Sequence, residues 1–271
     1  RRQRQMCIRD SQGFKRKYTV VAPEDPGPNQ LLFLHGSLQN GSVMRRFTNG
    51  TFDELAARTG TVVVYPDGVD RHFNDARGVL PVKARELGID DVAFLQHVAA
   101  TVQEEYGTQR TYACGYSNGG QMVIRLLFDA PGFLDGACIF ASTMGSGANH
   151  APSNPEGYKP TPILMMHGTA DPLAPYEGGQ AGLANSSRGE VTSALWTAQR
   201  FATMNGCSKA KVTRPFSDVS LHSWEGDNPV ELWTMEGVGH VIPSGNGLDA
   251  RLGPNTDSFI AAQVVEDFFG F

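Results

Sequence analysis

The sequence predicts an α/β fold: a mostly parallel central sheet, flanked by helices on both faces and without a large lid. Three observations lead there. Short apolar runs of buried-strand type alternate with amphipathic helical runs at least five times along the 271 residues. Hydrophobic residues make up 40% of the chain, enough for a large core, yet no apolar run approaches the roughly 20 residues of a membrane span. One strand also runs through Ala113-Cys114-Gly115-Tyr116-Ser117-Asn118-Gly119-Gly120 into the helix-forming Gln121–Phe128, so a Gly-x-Ser-x-Gly turn sits between strand and helix.

The elements follow in order. Lys17–Ala22 has β-forming composition and ends at Pro23, as an edge strand would. Leu31–Leu34 is a continuous apolar run that enters His35-Gly36-Ser37. A short helix is expected over Phe52–Arg58, with Thr51 as cap and Gly60 as stop. Thr61–Tyr65 is the next buried strand. Asp90 or Asp91 caps a helix reaching Tyr106, whose Val92, Leu95, Val98, Ala99 and Val102 share one face. Strands follow at Arg110–Cys114, Gly136–Ala141, Ile163–Met166 and Glu231–Met235. Ser142–Pro160 reads as a long surface loop, and helices are expected over Glu190–Met204 and Thr256–Phe269.

A net charge of −5 argues against a nucleic-acid binder. The basic excess sits at the start, where Arg1, Arg2, Arg4 and Arg9 face only Asp10, and no apolar signal-peptide stretch is present there. Residues 1–16 are therefore expected outside the fold, as a disordered arm or as foreign sequence joined to the chain, with residues 17–271 forming one domain. Cys114 and Cys138 lie in strand-like runs and read as small buried hydrophobes. Cys207 could be half of a disulfide, for which Cys7 is the only plausible partner. No cysteine or histidine spacing suits a metal.

A serine hydroxyl needs a base within hydrogen-bond reach, and the base needs an orienting carboxylate. Ser117 stands at the strand–helix turn, where small flanking residues lift its hydroxyl over the sheet edge and the helix N-terminus favours negative charge. Asp171 lies just past the Ile163–Met166 strand, and His240 follows Gly237-Val238-Gly239 after the Glu231–Met235 strand. The chain order Ser, Asp, His is that of the α/β-hydrolases. A negative oxygen formed during acyl transfer needs two N–H donors. Asn118 should supply one and Ser37 the other, with Leu38 the second choice. His35 and His167, in His-Gly turns, are expected to hold loop geometry.

Leu34-His35-Gly36, Tyr65-Pro66-Asp67-Gly68, Gly115-Tyr116-Ser117-Asn118-Gly119 and His167-Gly168-Thr169-Ala170-Asp171-Pro172-Leu173-Ala174-Pro175-Tyr176 together resemble the poly(3-hydroxybutyrate) depolymerase-like esterases. That α/β-hydrolase group also includes the feruloyl and acetylxylan esterases of carbohydrate esterase family one. The resemblance runs from about Tyr18 to Phe269. It implies Ser117 as nucleophile, Asp171 as orienter, His240 as base, and ester cleavage without a cofactor. It further implies a secreted enzyme, acting as a monomer on a polymeric or small ester, with no nucleic-acid or membrane partner. Leu38, Phe73, Asn74, Tyr176, Val241 and Ile242 are the residues it places at the substrate. The chain departs from the family at Phe73-Asn74-Asp75-Ala76-Arg77, where Trp-Asn-Asp-Gly-Arg is usual, and at Ile242, where tryptophan is usual. These changes touch the cleft wall and leave the substrate open among polyesters, including aromatic ones, and feruloyl or acetyl esters of plant polysaccharide. Two other readings share the sequence: a polymer-binding protein on a hydrolase scaffold, and a peptidase with the same three residues.

Overall fold

A computed structural model of the chain describes residues 2–245, 247 and 250–271. In order, the elements are β1 (Arg2–Arg9), β2 (Lys15–Ala22), β3 (Asn29–Leu34), α1 (Gly41–Phe47), α2 (Thr51–Thr59), β4 (Val62–Pro66), α3 (Lys83–Glu86), α4 (Asp91–Tyr106), β5 (Arg110–Tyr116) and α5 (Asn118–Asp129). They continue with β6 (Gly136–Phe140), β7 (Ile163–Gly168), β8 (Gly179–Leu183), β9 (Ser186–Val191), α6 (Ala194–Met204), β10 (Lys211–Phe216), β11 (Val219–Trp224), β12 (Val230–Met235) and α7 (Ala261–Phe269).

Ten strands form one sheet in the order β1-β2-β4-β3-β5-β6-β7-β12-β11-β10. The six from β4 to β12 run parallel, and an antiparallel pair closes each end. Strand residues alternate between two cores, as the period of two requires. Leu32, Leu34, Val62 and Val64 face the core built with α4, α5 and α6, whereas Leu31, Phe33, Val63 and Tyr65 face the core built with α1, α2 and α7. Both faces of the parallel strands are thus covered, which is why those strands read as unbroken apolar runs.

Several boundaries differ from the sequence reading. The first segment does not lie outside the fold: Arg2–Arg9 pairs along its length with β2, from Arg2↔Ala22 to Arg9↔Lys15. Main-chain pairing needs no apolar alternation, so its basic composition concealed it. Thr51 does not cap α2, because its hydroxyl donates to the Thr48 carbonyl and Gly50 takes the cap position. Asp90, not Asp91, caps α4 by accepting the Ala93 N–H. Glu190 and Val191 belong to β9, and α6 begins only after Ser193, whose hydroxyl accepts the Trp196 N–H. The last helix starts five residues late, at Ala261. The Ser142–Pro160 segment is irregular, but its first residues are buried against the serine turn. Cys7 and Cys207 are both free: Cys7 lies on the edge strand β1, and Cys207 follows α6 with its Sγ 3.2 Å from the Asn228 carbonyl. Cys114 and Cys138 pair in register on β5 and β6, fully buried and also free.

Candidate active site

The serine turn is held by close backbone packing. Ser117 has φ 54° and ψ −115°, a conformation few non-glycine residues adopt and one that persists only when its surroundings enforce it. The enforcement is visible. A Cβ on Gly115 would lie 2.2 Å from the Gly119 carbonyl oxygen, and one on Gly119 would lie 2.1 Å from that of Leu34. The Ser117 N–H donates to the Phe140 carbonyl at 3.0 Å, and the Ser142 hydroxyl donates to the Ser117 carbonyl at 2.6 Å. Gln121 Nε2 reaches the Thr143 carbonyl at 2.6 Å, tying α5 to the loop after β6.

Three side chains meet above the ends of β5, β7 and β12. His240 Nε2 lies 2.9 Å from Ser117 Oγ, and His240 Nδ1 lies 2.7 Å from Asp171 Oδ2. The other Asp171 oxygen accepts the N–H groups of Leu173 and Ala174, both at 2.8 Å. Burial would raise the Asp171 carboxyl, but the His240 imidazole, its hydrogen bond, His167 and the Ala174 N–H together hold it below the usual carboxylate value. The carboxylate therefore stays ionised and fixes the His240 tautomer, with the proton on Nδ1 and a lone pair facing Ser117. His240 is itself anchored: its N–H donates to the Leu252 carbonyl, and its carbonyl accepts the Tyr116 hydroxyl at 2.7 Å. In this arrangement the imidazole can draw a proton off the serine hydroxyl.

The loop after β3 borders the serine. Gly36 N–H is occupied by Gln39 Oε1, and Leu38 N–H by the Arg71 carbonyl. Ser37 N–H has no partner among the described residues, and Asn118 N–H opens the first turn of α5. Ser37 thus fits the sequence reading better than Leu38. His35 does hold loop geometry. Its Nε2 accepts the Gly68 N–H at 2.9 Å and its Nδ1 donates to the Gly36 carbonyl at 2.8 Å, joining the loops after β3 and β4. His167 does the same for the loop after β7, through the Ala174 carbonyl at 2.7 Å.

A cleft of about 730 Å³ opens at Ser117 and His240. Of the residues expected at the substrate, Leu38 lines it, and at 61% it is the most exposed large apolar side chain among the described residues. Phe73, Asn74, Tyr176, Val241 and Ile242 do not. Phe73 is buried with its ring 4.6 Å from that of His35. Asn74 spends its amide on Ile89 and Arg85 and its N–H on Asp91. Tyr176 bonds Thr234 at 2.6 Å, and Val241 and Ile242 lie in the core beside α7. The Phe73–Arg77 run braces the serine turn from below. The Asn118 amide accepts Phe73 N–H, donates to Phe73 O, and donates to Asp75 Oδ2 at 2.7 Å, while Asp75 also pairs with Arg77.

The cleft residues missed in the sequence include His72, Arg77, Leu173, Ala174, Leu183 and Arg188. Leu173 and Ala174 follow Asp171 directly and were within reach of the same reasoning. Leu183 and Arg188 lie on the β8–β9 hairpin, whose glycine-rich, only partly buried strands give no periodic signal. Among the described residues no group of three or more His, Cys, Asp or Glu could hold a metal, and no helix is long and apolar enough to cross a membrane.

A parallel sheet sandwiched by helices, with a strained serine between strand and helix and a histidine and an aspartate arriving from later strand ends, defines an α/β-hydrolase. The chain belongs to the phospholipase/carboxylesterase family, whose model matches residues 75–223, more than half of the chain. Its relatives include NocK of Nocardia uniformis, assigned as an esterase, at 30% identity over 54% of this chain. The bifunctional acetylxylan esterase/xylanase of Neocallimastix patriciarum is 28% identical over 64% of the chain. The chain spans 41% and 24% of the lengths of these two relatives. An acetyl xylan esterase structure from Aspergillus awamori superposes with a TM-score of 0.67 over 98% of this chain and 99% of its own, at 14% identity, a likeness of fold.

Proposed function

We propose that the protein is a serine esterase working through an acyl-enzyme. Ser117 Oγ attacks the ester carbonyl as His240 Nε2 takes its proton, and Asp171 steadies the resulting imidazolium. The N–H groups of Asn118 and Ser37 receive the carbonyl oxygen as it becomes negative. Collapse of this intermediate breaks the C–O bond, and the alcohol leaves with the proton held by His240. A water molecule, deprotonated by the same imidazole, then attacks the acyl carbon and frees Ser117.

What supports this reading above all is the unbroken relay from Asp171 Oδ2 through His240 to Ser117 Oγ, at 2.7 and 2.9 Å, ending in an accessible cleft. The cleft mixes the apolar Leu38, Leu173 and Leu183 with polar groups and sits on the surface. It therefore suits an ester held on a polymer, such as an acetyl or feruloyl decoration or a polyester segment, as well as a small ester. The test is turnover of p-nitrophenyl acetate by wild type and Ser117→Ala, with fluorophosphonate labelling of both. The expected result is loss of on the order of 10⁴-fold or more in kcat and loss of the label. Equal rates in the two proteins would end the proposal. Labelling absent from wild type would instead favour a polymer-binding role.

A further inference from the structure

Among the described residues, the buried and half-buried arginines other than Arg188 are each well engaged. Arg16 meets Asp10 and Asp91, Arg45 meets Asp53, Arg77 meets Asp75 and Arg125 meets Asp129. Arg85 has no carboxylate but donates to the carbonyls of Asp75, Arg77 and Gly78 and to Asn74 Oδ1. Arg188 is the exception. It is partly buried on β9 and lines the same cleft as Ser117 and His240. Its guanidinium has one bond among the described residues, from Nη1 to Ser186 Oγ at 2.9 Å. Two cleft carboxylates, Asp70 and Glu86, form no ion pair with it, and Glu86 lies 3.5 Å from Lys83 instead.

A guanidinium carries five N–H donors in a rigid fork suited to a carboxylate, so most of its donors remain to be used. Desolvation lowers the Arg188 pKa, and the neighbouring Arg77 lowers it further, against the pull of Asp75. Its surroundings thus disfavour the bare cation and would welcome an anion. The residue is also held in place. Asn149 Nδ2 bonds the carbonyls of Arg188 and Glu190 at 3.0 and 2.8 Å, and Gly189 N–H bonds Ser187 Oγ, which pins the strand carrying it. An apolar wall of Leu38, Leu173 and Leu183 with one unanswered cation describes a site for a molecule with an apolar body and a charged end.

We propose that Arg188 binds a carboxylate carried by the substrate, so that the preferred esters are acidic ones: half-esters of dicarboxylic acids, or hydroxyacid oligomers with a free acid end. This deepens the esterase reading and rests on it. The test compares monomethyl glutarate, adipate and suberate with the methyl esters of pentanoic, hexanoic and octanoic acids, following methanol release by wild type, Arg188→Gln and Arg188→Lys. The quantity read is the ratio of kcat/KM for each half-ester to that for its neutral counterpart. Arg188→Gln should lower that ratio about tenfold or more for the half-ester that reaches the arginine, as loss of a charge-assisted bond implies. Arg188→Lys should restore part of it, and added salt should shrink the wild-type ratio. A fall of equal size on both members of each pair, or no fall, overturns the inference while leaving the esterase intact. Failure of wild type to cleave any of the six while it still turns over p-nitrophenyl acetate overturns this inference alone, and failure on p-nitrophenyl acetate as well removes the esterase reading with it.

Discussion

The clasp between the loops after β3 and β4 makes stability depend on pH through His35. This ring is fully buried, and burial drives it down to about 4, outweighing its hydrogen bond to the Gly36 carbonyl, which raises it. Its Nε2 must stay unprotonated to accept the Gly68 N–H. With the folded-state value below the unfolded one near 6.5, the unfolded chain binds more protons across that window. Stability therefore falls as pH drops from about 6.5 to about 4. The full difference is worth about 3 kcal/mol, most of which is lost between pH 7 and pH 4.5. His35→Gln removes the titration. It should cost about 1–3 kcal/mol at pH 7, where a buried N–H loses its acceptor, yet lose about 2 kcal/mol less than wild type on going to pH 4.5. Urea unfolding at the two pH values reads both quantities. If wild type and variant lose the same stability between them, the ring does not titrate as its burial demands.

Two further substitutions probe how the serine is held. Asn118→Ala strips Phe73 and Asp75 of three buried bonds, and should cost about 2–4 kcal/mol and lower kcat more than it raises KM. Urea unfolding with steady-state kinetics on a p-nitrophenyl ester checks both, and a pure KM effect would place the amide at the substrate instead. Gly119→Ala drives a methyl group to 2.1 Å from the Leu34 carbonyl oxygen, backbone that cannot swing away, and should cost about 3 kcal/mol or more. A melting temperature and turnover like those of wild type would mean that β3 and α5 can separate freely.

The layered sheet was legible because parallel strands buried on both faces leave contiguous apolar runs, as at Leu31–Leu34 and Ile163–Met166. Ser117, Asp171 and His240 were legible because each sits at the end of such a run, and the structure brings them together. The β8–β9 hairpin and β10 were not. Every residue of β10 is exposed, so burial left no imprint on its composition, and β8 is Gly-Gln-Ala-Gly-Leu. Phe73 and Asn74 were placed at the substrate because they occupy the family's motif. Their direction is set by Asn118, more than forty residues later, and by Arg85 and Asp91, which no local pattern encodes.

The closing strands at the two borders of the sheet bear on how this protein behaves when crowded. An unpaired β border is a template on which another molecule can stack and grow into fibrils. Here one border is Arg-Gln-Arg-Gln-Met-Cys-Ile-Arg, whose guanidinium groups repel an identical neighbour. The other, Lys-Val-Thr-Arg-Pro-Phe, carries Pro215, which lacks an N–H, and a break in register between Thr213 and Phe216. Both rims thus discourage self-templating, so that molecules can be concentrated without knitting into one another.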